Sequence, residues 1–154
     1  MAKKHKIINP KAIVGSTKIP IHLWPNTATI MGCMAMLNGM LQYGRVNFRA
    51  SDIKASTYIS ASKRHLDAWE EGEEVDPVDK VPHLGAALAC IAIIIDSRAA
   101  GRLIDDRPLT GGYLELKKQL MPLVRELQQR HAGKTPRHYT IKDTAQFRKK
   151  KGKK

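Results

Sequence analysis

Aromatic side chains are scarce in this sequence, at 5% of 154 residues, so aliphatic side chains must carry its packing. No uncharged apolar run approaches the roughly 18 residues that a membrane span requires. The most apolar stretch, residues 84–95, is long enough only for a buried core helix. The opening "MAKKHKIINPK" is basic but leads into no apolar segment or cleavage site, which argues against a signal peptide and for a cytoplasmic chain. Cysteine is limited to Cys33 and Cys90, both in apolar contexts. They read as small core residues in a reducing compartment rather than as a disulfide framework. Internal repeats are absent, and so are CxxC pairs and the P-loop, GxSxG and GxGxxG signatures. The tripeptide "HLD" is not an adjacent His-Asp pair, so it does not support an HD-type phosphohydrolase.

Positive charge is what the chain has in excess, +13 overall, and its distribution decides what it means. Residues 132–154 hold nine Lys/Arg against one Asp, and residues 1–11 hold four lysines, which leaves the body between them within one charge of neutral. The organisation expected is a basic N-terminal arm over 1–14, one domain over 15–131 and a basic, disordered tail over 132–154. Such a tail can hold nucleic-acid phosphates weakly and in a salt-sensitive way. One reading of the whole chain is therefore a non-enzymatic nucleic-acid-binding module or a basic replication accessory protein.

Between the arms the periodicity is helical, and the expected fold is all-α, a small bundle of four main helices after an extended lead-in. Residues 27–43 place Ile30, Met34, Leu37 and Leu41 on one stripe, read as adaptable core, with Gly44 as the stop. A connector, "RVNFRASDIK", leads to a second helix within residues 51–72 that ends at Gly72. A third runs from Pro82 to about Ala100, apolar on every side and hence central. A fourth, residues 113–133, turns Leu116, Leu120, Leu123, Val124 and Leu127 inward and carries Pro122 as a candidate kink.

The chemistry gathers where the second helix meets the third. Residues 70–79 carry six carboxylates, yet they lead into the most apolar helix of the chain through Pro82 and His83. A hairpin of antiparallel helices would bring His65, Glu73, Asp76 and His83 together, with Asp96 at the far end of the third helix. Crowded carboxylates raise one another's pKa, and a hard divalent cation is one reason to gather them. The plain alternative is a solvated acidic helix end, although that sits badly with the helix dipole. A second group, Lys18, Arg45, Asn47, Arg49, Lys63 and Arg64, combines guanidiniums suited to phosphate with an amide suited to a base or sugar; its alternative is a solvated loop. A third, Asp105, Asp106 and Arg107 before Pro108, can cap a turn or reach a neighbouring metal or a partner subunit's site.

Five blocks in order, "GSTKIPIHLWP", "MLNGMLQYGRVNFRA", "KASTYISASKRHLDAWEEGEEVDP", "VPHLGAALACIAIIID" and "AAGRLIDDRP", resemble the phage and bacterial dATP/dGTP pyrophosphohydrolase family. That family is grouped with the MazG-like all-α nucleoside triphosphate pyrophosphohydrolases, which include the MazZ enzymes of phages that replace adenine by 2-aminoadenine. The resemblance implies hydrolysis of a purine deoxynucleoside triphosphate, dGTP or dATP, to monophosphate and pyrophosphate. It implies Mg2+ or Mn2+, and a homodimer or homotetramer whose subunits share each site. In MazZ-like members the monophosphate feeds 2-aminoadenine synthesis. On this resemblance Glu73, Asp76 and His83 hold the metal with help from His65 or Asp96. Lys18, Arg49 and Arg64 offset phosphate charge, and Tyr43 with Asn47 contacts sugar or base. MazG proteins carry paired acids on two successive helices. Here Glu70, Glu73 and Asp76 fall in one stretch, and the second helix's pair aligns with His83 and Ala86, of which Ala86 can ligate nothing.

Overall fold

Prolines and glycines divide the chain into four long helices. The computed structural model describes Lys11, Gly15 and residues 17–144. The expected arm over 1–14 lies outside the described residues apart from Lys11, and so does the tail from 145 onward. A single 3-10 turn, Ile21–Leu23, interrupts the lead-in before Pro25 caps α1, Asn26–Tyr43. A four-residue helix, α2 (Asn47–Ala50), and a two-residue strand, β1 (Ile53–Lys54), follow within the connector. α3 spans Ala55–Glu70 and α4 spans His83–Ala99. β2 (Leu103–Ile104) then pairs in parallel with β1, Ile53 opposite Leu103. The last long helix, α5, is Tyr113–Arg130, with Pro122 inside it.

α4 is central, as its composition requires: it packs along both α1 and α3. The buried positions on it are His83, Gly85, Ala87, Ala89 and Ser97, all small or polar. Small residues let helices cross closely. A Cβ built on Gly85 would strike the Met31 carbonyl oxygen of α1, and one built on Gly32 of α1 would lie 3.2 Å from Leu88. Buried hydroxyls meet main-chain carbonyls instead of water: Ser62 donates to Ala87 O at 3.3 Å, and Ser97 donates to Phe48 O at 3.2 Å.

Two apolar stripes face the other way from expectation. On α1, Ile30, Met34, Leu37 and Leu41 are exposed, because the face turned to α4 carries Gly32 and its half-buried neighbours Met36 and Gly39. On α5 none of the five aliphatic residues is buried, and the helix has no buried residue at all. Periodicity identifies an apolar face, but the covering surface does not come from within the described chain. Cys33 is likewise exposed on α1, while Cys90 is half-buried. Part of the tail is ordered: Thr140 and Asp143 form a capping box around the 3-10 turn Ile141–Asp143, and Arg137 pairs with Asp143 at 2.7 Å. No helix among the described residues is long and apolar enough to cross a membrane.

Candidate functional site

The turn between α3 and α4 is built by its backbone. Gly72 takes φ +98°, a conformation other residues rarely adopt, and Ile141 occupies the space a Cβ there would fill. Asp76 N–H donates to Val81 O at 2.9 Å and His83 N–H donates to Glu74 O at 3.1 Å, with Val75 and Pro82 facing each other as an isolated antiparallel bridge. Pro77 follows Asp76, and Asp76 Oδ1 accepts the main-chain N–H groups of Val78 (2.8 Å) and Asp79 (3.0 Å). These bonds hold the Asp76 carboxyl below the usual carboxylate range, with the Asp79 amide the larger influence. The tight corner therefore delivers an ionised carboxylate in a fixed direction.

That direction is toward two imidazoles. His65, on the last two turns of α3, and His83, the first residue of α4, face each other with their Nδ1 atoms 2.9 Å apart and ring centroids 5.2 Å apart. Donor atoms of His65, Asp76 and His83 all lie within 4.8 Å of one another. Burial first, and the neighbouring His83 ring second, lowers the pKa of His65, so its neutral form, the one that binds metals, is favoured. His83 is only 3% exposed. Its Nε2 atom lies 3.3 Å from Glu73 Oε2 but outside hydrogen-bond geometry, and it has no other partner among the described residues. An orphaned polar atom in so buried a ring is costly unless something is drawn in to satisfy it.

His65 and Asp76, with His83 buried beside them, open into a cavity of about 410 Å3 between α1, α3 and α4, whose wall includes Arg64, Asn38, Gln42 and Ala86. A more apolar cavity of about 530 Å3 adjoins it, lined by Met36, Met40, Phe48 and Tyr58 together with Arg45 and Asn47. Tyr43 lines both. Asn38 and Gln42 were not singled out from the sequence. They share a hydrogen bond of 3.1 Å one turn apart, and an amide pair at that spacing in a Met-rich helix was the available signal.

Other expected site residues lie elsewhere. Asp96, thirteen positions along α4 from His83, is about 20 Å away along the axis; it accepts two 2.7 Å hydrogen bonds from Arg49. Asp106 receives the Ser56 amide (2.8 Å) and hydroxyl (2.5 Å), capping the start of α3, whose own cap residue Lys54 makes no side-chain bond. Asp105 pairs with Arg107 at 2.6 Å. Lys18 and Lys63 are exposed.

Comparison with known families gives one result. Residues 8–107 match the family model described as dATP/dGTP diphosphohydrolase, N-terminal. The matched segment contains α1 to α4, both cavities and the whole elbow, and ends before α5. No curated protein and no solved structure matches the chain.

Proposed function

The chain belongs to the dATP/dGTP diphosphohydrolase family, and from that premise we propose that it cleaves a purine deoxynucleoside triphosphate between its α and β phosphates at the α3–α4 elbow. The observation that carries this reading is the trio of His65, Asp76 and His83, with donors within 4.8 Å, of which His65 and Asp76 line a cavity large enough for the polar part of a nucleotide. The donor set fits a divalent cation: the carboxylate is ionised and held in place by two amides, one imidazole is favoured neutral, and the other turns its Nδ1 to within 2.9 Å of it. When bound there, such a cation would polarise phosphate oxygens and favour ionisation of the attacking water.

The remaining work falls to the chain's own side chains. Arg64, on the cavity wall, offsets the charge of the polyphosphate. Asn38 and Gln42 present amide donors to phosphate or sugar oxygens. The adjoining apolar cavity takes the purine, with Tyr43 lining both cavities and Asn47 and Arg45 as polar groups in its lining. Positioning and electrostatic preorganisation dominate such a reaction, since phosphoryl transfer asks for little covalent help. Arg49, held by Asp96, shapes the connector rather than reaching phosphate. The product, a purine deoxynucleoside monophosphate, is the kind that 2-aminoadenine synthesis in a phage consumes. The exposed stripes of α1 and α5 support a homodimer or homotetramer.

Pyrophosphate release from dGTP or dATP, measured with a divalent cation, tests the reading. Asp76→Ala should reduce it by at least about 100-fold with the far-ultraviolet circular dichroism unchanged. Equal release by the variant would remove the elbow from the reaction.

A further inference from the structure

We propose that the elbow selects a nitrogen-favouring first-row transition cation, of the class of Co2+, Fe2+ or Zn2+, over Mg2+, and that Glu73 serves it as a positioning residue acting through His83. The inference rests on the reading of the elbow as a cation site and adds which cation the site takes and how its imidazoles are oriented.

Donor chemistry is the first argument. Two of the three converging groups are imidazoles, and Mg2+ prefers oxygen ligands in a strict octahedron, keeping several waters. Imidazole nitrogen suits Zn, Fe, Ni and Cu, and two histidines with one carboxylate leave coordination positions open. Ala86, one turn beyond His83 on the cavity wall, adds no fourth ligand and leaves space there for phosphate oxygens.

Geometry is the second. Two Nδ1 atoms 2.9 Å apart can share a single proton, but a cation between them needs a lone pair from each. Bonds of about 2.0–2.1 Å to cis or tetrahedral positions place two nitrogens about 2.9–3.4 Å apart, so the observed separation is already that of a chelate.

Glu73 supplies the third. Its carboxylate lies on the opposite side of the His83 ring from His65, 3.3 Å from Nε2. A negative charge there holds the proton on Nε2, which leaves Nδ1 with its lone pair directed at His65 and Asp76. Carboxylates placed behind metal-binding histidines in this way fix both tautomer and ring orientation. With its side chain 47% exposed, Glu73 has room to close the remaining gap to a hydrogen bond.

The test is titration of the chelator-stripped full chain with Co2+ in the absence of nucleotide, read from the visible d–d bands of nitrogen-ligated cobalt. Excess Mg2+ is then added as competitor. The expected result is a bound Co2+ that about 100-fold excess Mg2+ does not displace, with affinity lowered about 100-fold or more by His65→Ala and about 10-fold by Glu73→Ala. Glu73→Gln, whose amide oxygen can still accept from Nε2, should recover part of that loss, and Glu70→Ala should change nothing. Melting curves of the metal-free variants separate loss of ligation from loss of fold, and His65 is chosen because it is less buried than His83. Displacement by Mg2+ at equal concentration, or an unchanged spectrum and affinity in His65→Ala, overturns the cation assignment. A Glu73→Ala loss as deep as that of His65→Ala makes Glu73 a ligand and overturns its positioning role, as does no loss at all. Pyrophosphate release on the same samples keeps the two readings apart: imidazole-bound Co2+ with no hydrolysis refutes the function alone, and hydrolysis with an oxygen-ligated ion refutes this inference alone.

Discussion

The α3–α4 hairpin and the outer faces of α1 and α5 treat their side chains in opposite ways. Inside the hairpin the buried groups are, Val81 apart, small or polar, among them Ser62, His83, Gly85 and Ser97, and each of these four sits against a defined neighbour. Outside it, Ile30, Met34, Leu37 and Leu41 of α1 and the aliphatic row of α5 remain 41–74% exposed. A monomer ordinarily does the reverse with residues of these sizes. The hairpin is thus specified by close approach and hydrogen bonding within one chain, whereas the hydrophobic free energy of the outer helices is still to be realised. Covering the exposed half of each of the five α5 side chains is worth roughly 1 kcal/mol apiece. Two-fold symmetry doubles that to about 10 kcal/mol, which only matches the roughly 4–15 kcal/mol that association costs. A stable assembly therefore needs the α1 stripe as well.

The largest effect should come from breaking that outer surface. Lysines at both Leu120 and Leu123 should leave a particle of one 17.2-kDa chain by light scattering, where the unaltered protein is expected to be at least a dimer. The melting midpoint of the unaltered protein should rise with protein concentration, and that of the variant should not. A monomeric unaltered protein would erase the contrast between the two regions. Next in size, Gly85→Ala tests the inner region, because its methyl group meets the Met31 carbonyl of α1 and neither backbone can yield cheaply. A loss of about 1–3 kcal/mol in denaturant-induced unfolding is expected. An unchanged midpoint would mean that the α1–α4 crossing is looser than its small residues indicate.

How far the sequence reveals these regions depends on the range of the interactions involved. The elbow is legible because His65, Asp76 and His83 are local to one hairpin, and acids beside an apolar helix are conspicuous against the helix dipole. The direction of the α1 stripe is not, since a period of 3.6 shows that a face is apolar without showing what covers it. The glycines opposite that stripe look like weak helix formers until α4 is laid against them. The β1–β2 pair is too short to show a period, and it joins residues 50 positions apart, Ile53 and Leu103. Asp106 reads as a candidate ligand for the same reason: the helix start it caps lies 50 residues back, at Ser56.

That cap gives a smaller prediction. Asp106→Ala removes the acceptor for the Ser56 amide and hydroxyl and should lower the melting midpoint by less than Gly85→Ala does. Asp106→Asn, which keeps an oxygen for the amide, should recover most of the difference. If Asp106→Ala instead lowers pyrophosphate release at unchanged stability, the residue belongs to the site and the inner region extends beyond the hairpin.

The smallest effect is expected at the Arg49–Asp96 pair, where the connector meets the far end of α4. Both hydrogen bonds are 2.7 Å, but both side chains are partly in water, so the pair is screened by salt. Arg49 holds the Asp96 carboxyl below its ordinary range. A carboxylate whose pKa is depressed on folding contributes stability that is present above its unfolded pKa and is lost as the pH falls through the folded one. Asp96→Asn should therefore be slightly less stable than the unaltered protein at neutral pH. The gap should close below about pH 4 and shrink in high salt. Release of pyrophosphate should be nearly unaffected, because Asp96 lies about 20 Å along the axis from His83. A large loss of hydrolysis in Asp96→Asn would instead mean that the site spans the whole length of α4, with its second half supplied where another chain covers the exposed faces.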